Sequence, residues 1–137
     1  TKRAPHKKAF PNMWTVPRGN LEIEDYINLP KDTQHHWYNI FERVLTREIK
    51  EETGLEIENI EYLTSMTFIR PDGDAGLIVS LYADYKGGEV TLDEDSVDFK
   101  WVSLEEAKSY ELIEGISEEL EMLDTLLKGE NPEGWKK

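Results

Sequence analysis

Residues 47–55 read Arg47-Glu48-Ile49-Lys50-Glu51-Glu52-Thr53-Gly54-Leu55, and three glutamates fall within five positions of this stretch. Upstream, apolar residues recur at the three- and four-residue steps of an amphipathic helix: Trp37, Ile40, Phe41, Val44 and Leu45. Gly54 suits the end of such a helix, because the residue after the last turn often has a left-handed backbone. Asp32 or Thr33 is a suitable N-cap. The pattern therefore predicts a helix from there to Thr53.

The three glutamates fall where the apolar stripe of this helix should continue. At about 100° per residue, Glu48 lies roughly 20° from Trp37, with Glu51 and Glu52 within about 60° on either side. A solvated acidic helix end is the ordinary explanation of a charge run, but it would place the acids on the opposite face. Carboxylates at this spacing repel one another, and their burial without a partner is costly. A hard divalent cation such as Mg²⁺ or Mn²⁺ prefers oxygen ligands, so the pattern predicts a metal site.

The same stretch carries a family resemblance. Arg47 to Leu55 matches the second half of the Nudix box, Arg-Glu-aliphatic-any-Glu-Glu-any-Gly-aliphatic. Trp14 to Glu22, and within it Pro17 to Glu22, resembles the first half of the box. This resemblance to the Nudix hydrolases implies an α/β (α+β) fold, an α/β/α sandwich with a mixed β-sheet between helices. It covers essentially the whole chain, so a single domain is expected over residues 1–137.

Three features depart from the family pattern. Arg18 replaces the first of the two box glycines, and Asp25 stands where the family has a glutamate that pairs with the box arginine, here Arg47. Gly19 and Arg47 are about twice as far apart as in the family, so an insertion is expected around residues 26–39. This insertion is a candidate dimerisation arm, which makes a homodimer one expectation.

The resemblance also implies roles for individual residues. Mg²⁺, with Mn²⁺ as a substitute, is expected at the Glu48, Glu51 and Glu52 carboxylates and the Arg18 carbonyl. The catalytic residues are expected to be Arg47, Glu48 and Glu51, together with Glu94 and Asp95 on the loop before Trp101. Nudix enzymes use either a box glutamate or an acid of that loop as the base, and the sequence leaves this choice open. The substrate is expected to contact Arg3, Gly19, Glu22 and Phe68.

Family membership implies hydrolysis of a phosphoanhydride bond in a nucleoside diphosphate linked to another group. The compact chain, with Phe68 and the strand Leu77–Tyr85, resembles the small nucleoside-triphosphate pyrophosphohydrolases. The sequence spacing from Leu55 to Pro71 resembles the spacing between the box and a proline in ADP-ribose pyrophosphatases. An ADP-ribose or nucleotide-sugar pyrophosphatase is therefore the alternative. A regulatory domain that binds nucleotides without catalysis is a third reading, although such domains usually lose a box glutamate and none is lost here.

The amino-acid composition excludes further classes of function. A formal net charge of −13 over 137 residues argues against binding to nucleic-acid backbones, which requires basic patches. The absence of cysteine excludes disulfides, thiolate catalysis and zinc–cysteine sites. No apolar run approaches the roughly 18 residues of a membrane span, and no signal peptide is evident. We therefore expect a cytoplasmic protein with a nucleotide as its partner and no membrane contact.

The remaining elements follow in chain order. Lys2-Arg3 resembles the end of the first family strand, so the rest of that strand is expected to be missing from this chain. Further strands are predicted at Met13–Val16, around Ile60 to Phe68, at Leu77–Tyr85 and at Val97–Val102, with a hairpin turn at Arg70–Gly76. Ser103 to Glu106 reads as a capping box. A last helix is predicted from Ser117 to Gly129, with Leu120, Leu123, Leu126 and Leu127 facing the core, before a frayed tail over Glu130–Lys137.

Overall fold

The structure is a computed structural model and describes residues 1–130. Its elements, in chain order, are β1 (Lys2–Arg3), a short 3₁₀ helix (Ile23–Asp25), α1 (Ile40–Thr53), β2 (Glu56–Ile69), β3 (Ala75–Gly87), β4 (Ser96–Asp98), α2 (Leu104–Ala107) and α3 (Ile116–Leu127). This mixture of helices and strands confirms the predicted α/β class. The part of the predicted tail beyond Glu130 lies outside the described residues.

The longest strands form an antiparallel hairpin. β2 pairs with β3 along almost its whole length, and Phe68 lies opposite Gly76 near the turn. Within the turn, the Arg70 amide donates to the Asp74 carbonyl at 2.8 Å, and the Gly73 amide donates to the Arg70 carbonyl at 2.9 Å. The predicted strands on either side of this turn, and the turn itself, are confirmed.

The other strands are short. β1 pairs with β4, and single-residue bridges join Trp14 to Lys2 and, in parallel, to Leu112. Within residues 1–130 the strands thus form two separate two-stranded sheets, whereas one mixed sheet was predicted. The strand predicted at Met13–Val16 is reduced to the bridges of Trp14.

The strand predicted at Val97–Val102 is wrong over most of its length, since β4 ends at Asp98. The reason is local: the Phe99 amide donates to the Asp98 side chain at 2.8 Å and is lost to a strand ladder. Beyond this point, Trp101 is 65% exposed and its ring contacts Tyr85, with 5.5 Å between the ring centroids.

Helix α1 begins at Ile40, later than predicted, and Asn39 before it has a left-handed backbone with φ 55°. The predicted start at Asp32 or Thr33 is wrong, because the Asp32 carboxylate instead accepts from the Tyr38 amide at 2.9 Å. This bond closes a loop within the insertion, so the chain enters the helix only after it.

The insertion is held by its own aromatic contacts. The ring centroids of Tyr26 and Trp37 are 5.0 Å apart, and the Trp37 indole donates to the Leu29 carbonyl at 3.0 Å. The Lys31 ammonium lies 5.2 Å from the Trp37 ring. Trp37 therefore packs inside the insertion and does not extend the apolar stripe of the helix.

The end of α1 fixes the position of a neighbouring loop. Gly54 has φ 73°, as predicted for the residue that ends the helix. Beyond it, the Thr91 amide donates to the Thr53 carbonyl at 2.8 Å, and the Asp93 amide donates to the Glu52 carbonyl at 3.3 Å. Residues 91–93 consequently run beside the last turn of the helix.

The C-terminal helices are partly as predicted. Ser103 and Glu106 exchange side-chain and backbone hydrogen bonds, which confirms the capping box of α2. In α3 the buried residues are Glu119 and Met122, while Leu127 is 68% exposed. The prediction that Leu126 and Leu127 face the core is wrong, since both are exposed. The inward face carries Glu119 instead, whose carboxylate accepts a hydrogen bond from the Ser80 hydroxyl at 3.0 Å. No helix within residues 1–130 is long and apolar enough to span a bilayer.

Candidate functional site

Arg47 organises the acidic end of α1. Its guanidinium binds both carboxylate oxygens of Asp25, whose side chain is 5% exposed, and this is the pair that the sequence predicted. The same guanidinium contacts Glu48 and Glu51, each at 3.0 Å, and donates to the Asn20 carbonyl at 3.3 Å. The hydrogen bond from Arg47 lowers the pKa of Asp25. One arginine therefore links α1 to the loop that precedes the insertion.

Gly19 lies directly against Glu48. A Cβ atom at position 19 would fall 1.8 Å from the Glu48 carboxyl carbon, so only glycine leaves room for this carboxylate. Glu48 is 9% exposed and shares the buried face of α1 with Val44. The prediction that Glu48 continues the inward face is thus confirmed, although Trp37 does not belong to that face.

Glu52 completes the contact between the helix and the loop. Its carboxylate accepts from the Arg18 amide at 3.0 Å. The pKa of Glu52 is raised to about 7, chiefly by burial. The hydrogen bond from the Arg18 amide opposes this shift, and the nearby Asp93 and Glu48 carboxylates contribute to it. The Arg18 amide is the group that makes this contact, and a role for its carbonyl stays a prediction.

The donor chemistry of these residues fits a hard divalent cation. Glu48 and Glu52 present oxygen ligands in a partly desolvated place where their charges repel, and a cation would remove that repulsion. Within residues 1–130, however, no group of three or more acidic or histidine side chains is arranged to hold a metal ion. Glu48 and Glu51 both pair with Arg47 instead. The Glu51 side chain is 59% exposed, so the prediction that all three glutamates face inward is wrong for Glu51.

The loop acid beside Glu52 is Asp93, which the sequence analysis missed. Asp93 lies close enough to Glu52 to raise its pKa, whereas Glu94 is exposed. Asp95 pairs with Lys7 at 2.7 Å and with His6 at 3.7 Å, and the hydrogen bond from Lys7 lowers the pKa of Asp95. The sequence analysis favoured Glu94 and Asp95 from their position before Trp101, and their role as the base stays a prediction; the backbone bond from the Asp93 amide to Glu52 places Asp93 beside the helix.

The residues predicted to contact the substrate do not all lie at the acidic end of α1. Arg3 is 7% exposed, and its Nε donates to the Ala9 carbonyl at 3.0 Å. The Glu22 amide donates to Asp25 at 2.9 Å, while the Glu22 side chain is exposed. Phe68 packs its ring over Gly76 near the hairpin turn, and no described hydrogen bond or ion pair joins it to the acidic end of α1. The structure thus gathers Gly19, Glu48 and Glu52 but leaves Phe68 apart from them.

The sequence that forms this site matches a known family model. Residues 1–125 match the family model described as the NUDIX domain. The chain belongs to the Nudix family. This confirms the family predicted from the two halves of the box.

The curated relatives of this Nudix chain include several hydrolases. It is 37% identical over 67 residues to a protein named NAD-capped RNA hydrolase NudC from Haemophilus influenzae (strain PittEE), over 48% of this chain and 24% of that protein. A protein of the same name from Vibrio vulnificus (strain CMCP6) is 30% identical over 99 residues, over 72% of this chain and 31% of that protein. The matched segments therefore span less than a third of the length of these relatives.

The Arg47–Asp25 pair gives a first prediction. Asp25→Asn leaves the shape of the side chain but removes the charge that orients Arg47, and with it Glu48. We expect kcat/KM for hydrolysis to fall about 10- to 100-fold, the loss typical of residues that orient a functional side chain from behind. Steady-state kinetics measures the loss. Asp124→Asn is the matched control, because Asp124 pairs with Lys128 at 2.6 Å on the surface of α3. Equal activity of the two variants would contradict a positioning role for Asp25.

Proposed function

We propose that this chain is a Nudix hydrolase that cleaves a phosphoanhydride bond in a nucleoside diphosphate linked to another group, with Mg²⁺ as its cofactor and Mn²⁺ as a substitute. The observation that carries the proposal is the contact of Glu48 and Glu52 with the loop at Arg18 and Gly19. This contact joins the two halves of the box across the insertion and creates a partly desolvated pair of carboxylates.

The chain's own residues have separable tasks in this proposal. Glu48 and Glu52 would hold Mg²⁺, which supplies charge neutralisation of the phosphate oxygens and a lowered pKa of a bound water. Arg47 orients Glu48, and Gly19 leaves space for its carboxylate. Either a box glutamate or a loop acid accepts the proton of the attacking water. Among the loop acids, the place of Asp93 beside Glu52 supports Asp93.

A free nucleoside triphosphate is the substrate that we propose first. The relatives are named for NAD-capped RNA, but a net charge of −13 disfavours contact with an RNA backbone. Their name also supports the alternative, a pyrophosphate that joins two groups, as in ADP-ribose or a nucleotide sugar. The presence of all three box glutamates disfavours a purely regulatory domain. We further propose that the protein acts in the cytoplasm.

A substrate panel tests the function. We would incubate the protein with ATP, GTP, ADP-ribose, UDP-glucose and NADH, each with Mg²⁺ and each with EDTA, and separate the products by ion-exchange chromatography. The proposal predicts Mg²⁺-dependent release of a nucleoside monophosphate, with pyrophosphate as the second product from a triphosphate. Binding without turnover throughout the panel would contradict it and favour the regulatory reading.

The raised pKa of Glu52 predicts that metal binding depends on pH. Below about pH 7 this carboxyl carries a proton, which Mg²⁺ must displace, so affinity should weaken up to about tenfold per pH unit below 7 and level off above it. Isothermal titration calorimetry at pH 6, 7 and 8 measures this change. Glu52→Gln, which lacks the charged ligand, should bind Mg²⁺ much more weakly at every pH. An affinity for Mg²⁺ that stays constant from pH 6 to 8 in the unsubstituted protein would contradict the prediction.

The raised pKa of Glu52 also makes folding without metal depend on pH, but in the opposite direction to metal affinity. Because the carboxyl binds its proton more tightly in the folded state than at its ordinary pKa of 4.5, the free energy of unfolding should decrease as pH rises from about 4.5 to about 7. This contribution belongs to Glu52 alone. It is obtained as the difference between urea unfolding curves of the unsubstituted protein and of Glu52→Gln.

The insertion remains a proposed dimerisation arm. Its Trp37 is used internally, but Ile27 and Tyr38 are 50% and 59% exposed. Deleting residues 26–36 and measuring mass in solution tests the proposal, and an unchanged oligomeric state would count against it.

A further inference from the structure

An open apolar groove lies between the first turn of α1 and the hairpin of β2 and β3. Its volume is about 350 Å³, and its lining includes Phe41 from the helix and Tyr62 and Leu77 from the hairpin. These three side chains are 48%, 59% and 71% exposed, respectively. A single exposed apolar side chain is ordinary on a protein surface, but several that line one concave surface indicate a place where another molecule binds.

Acidic side chains border this groove. Glu42 and Glu61 contribute to its lining, and both are exposed. The Glu61 carboxylate accepts a hydrogen bond from the Tyr82 hydroxyl at 2.6 Å, and neither glutamate forms an ion pair within residues 1–130. The groove therefore suits an apolar segment that also carries a positive charge.

The insertion, residues 26–39, presents a surface of this kind. Its side chains Ile27 and Tyr38 are 50% and 59% exposed. Apart from two histidines, its ionisable acidic and basic residues are Lys31 and Asp32, and Asp32 is already bonded to the Tyr38 amide. Two chains that each carry a net charge of −13 repel one another, so contact between copies is favoured through a segment without net charge.

The insertion does not cover the groove of its own chain. It is held by its internal aromatic contact and by the Asp25–Arg47 pair that precedes it, and the groove residues stay exposed. Tyr38 nevertheless lies only three residues before Phe41, so the insertion and the groove both border the first turn of α1. A twofold axis near this turn would place the insertion of each subunit on the groove of the other and form two identical contacts.

We propose that a second copy of this chain occupies the groove, with the apolar side chains Ile27 and Tyr38 of its insertion against Phe41, Tyr62 and Leu77. The inference rests on the proposed dimerisation arm and deepens it by naming the surface that receives the arm. It does not depend on hydrolysis, because none of these residues belongs to the acidic end of α1.

The first test is the dimer dissociation constant of the whole chain, measured by sedimentation over a range of protein concentrations. Leu77→Glu adds a charge to the groove and should weaken the dimer on the order of tenfold or more. Leu127→Glu is the matched control, because Leu127 is 68% exposed on α3 and does not line the groove. It should stay within about twofold of the unsubstituted protein. Urea unfolding curves of both variants establish that each is folded.

The possible outcomes separate the groove from the arm. A dimer that is lost on deletion of residues 26–36 but unchanged in Leu77→Glu would keep the arm and overturn the groove as its receptor. A protein that stays monomeric at every concentration would overturn both. Equal weakening by Leu77→Glu and Leu127→Glu would also overturn the inference, since it would assign the effect to added charge alone.

Cross-linking identifies the segment that occupies the groove. The chain contains no cysteine, so each introduced thiol is unique. Ile27→Cys is mixed with Leu77→Cys or, as the control, with Leu127→Cys, and a short bis-maleimide is added. We expect a cross-linked heterodimer with Leu77→Cys and little with Leu127→Cys. Cross-linking of Leu77→Cys chiefly to itself, or of Ile27→Cys equally to both partners, would contradict the proposed contact.

Discussion

Replacing Glu52 with glutamine is expected to lower kcat by roughly two to three orders of magnitude, the range for loss of a preorganised charged group in an active site. Glu52 is partly buried, its only described hydrogen-bond donor is the Arg18 amide, and it faces Asp93 and Glu48. The substitution keeps its shape and its ability to accept that bond but removes the charge that a cation requires. Because it also relieves the repulsion, the folded state should be at least as stable without metal.

Kinetics and thermal unfolding together check this expectation. Glu56→Gln is the matched control, since Glu56 lies just beyond α1, is 57% exposed and pairs with Lys50 at 3.4 Å. It should retain nearly full activity. A Glu52→Gln enzyme with the kcat of the Glu56→Gln enzyme would show that Glu52 has no part in the chemistry. A large drop in unfolding temperature would instead assign the loss to folding.

The second large effect is expected at Gly19. Gly19→Ala would place a methyl group 1.8 Å from the Glu48 carboxyl carbon, so the carboxylate must move while the backbone can stay. Displacement of a catalytic group by about 1 Å costs on the order of 100-fold in rate. We therefore expect kcat to fall by about that factor with little change in unfolding temperature, because the flexible Glu48 side chain absorbs the clash.

Gly87→Ala is the control for this substitution. A Cβ atom at position 87 has its nearest neighbour, the Glu56 carboxylate, at 4.0 Å, and the backbone there is not left-handed. Its activity should be unchanged. Full activity of Gly19→Ala would mean that Glu48 works equally well from another position. The Gly19–Glu48 contact, on which the proposed site is built, would then have no functional role.

The fold could be predicted where local chemistry decides it. Gly54 ends α1 and Ser103 caps α2 because each needs only its immediate neighbours. The start of α1 could not be predicted, since Asp32 is a suitable N-cap in sequence but is used by Tyr38 within the insertion. The early end of β4 likewise depends on a bond between Phe99 and Asp98 that periodicity does not reveal.

The candidate site likewise combines features that the sequence predicts with features that depend on the folded contacts. The Arg47–Asp25 pair was implied by the family resemblance, and the inward face of Glu48 was predicted from the periodicity of the helix; both are present. The exposure of Glu51 was not predicted. It arises because Glu51 pairs with Arg47 and points away from Glu48 and Glu52, a contact that helical periodicity does not reveal. Which loop acid lies beside the helix depends on contacts distant in sequence: Asp93 lies there, while the catalytic role expected of Glu94 and Asp95 stays a prediction.

Direct titration with Mn²⁺, followed by electron paramagnetic resonance, tests most directly whether the acidic end of α1 is a metal site. The unsubstituted protein should show a bound population that is lost in the double variant Glu48→Gln/Glu52→Gln and retained in Glu56→Gln. Equal Mn²⁺ binding by all three proteins would contradict the account.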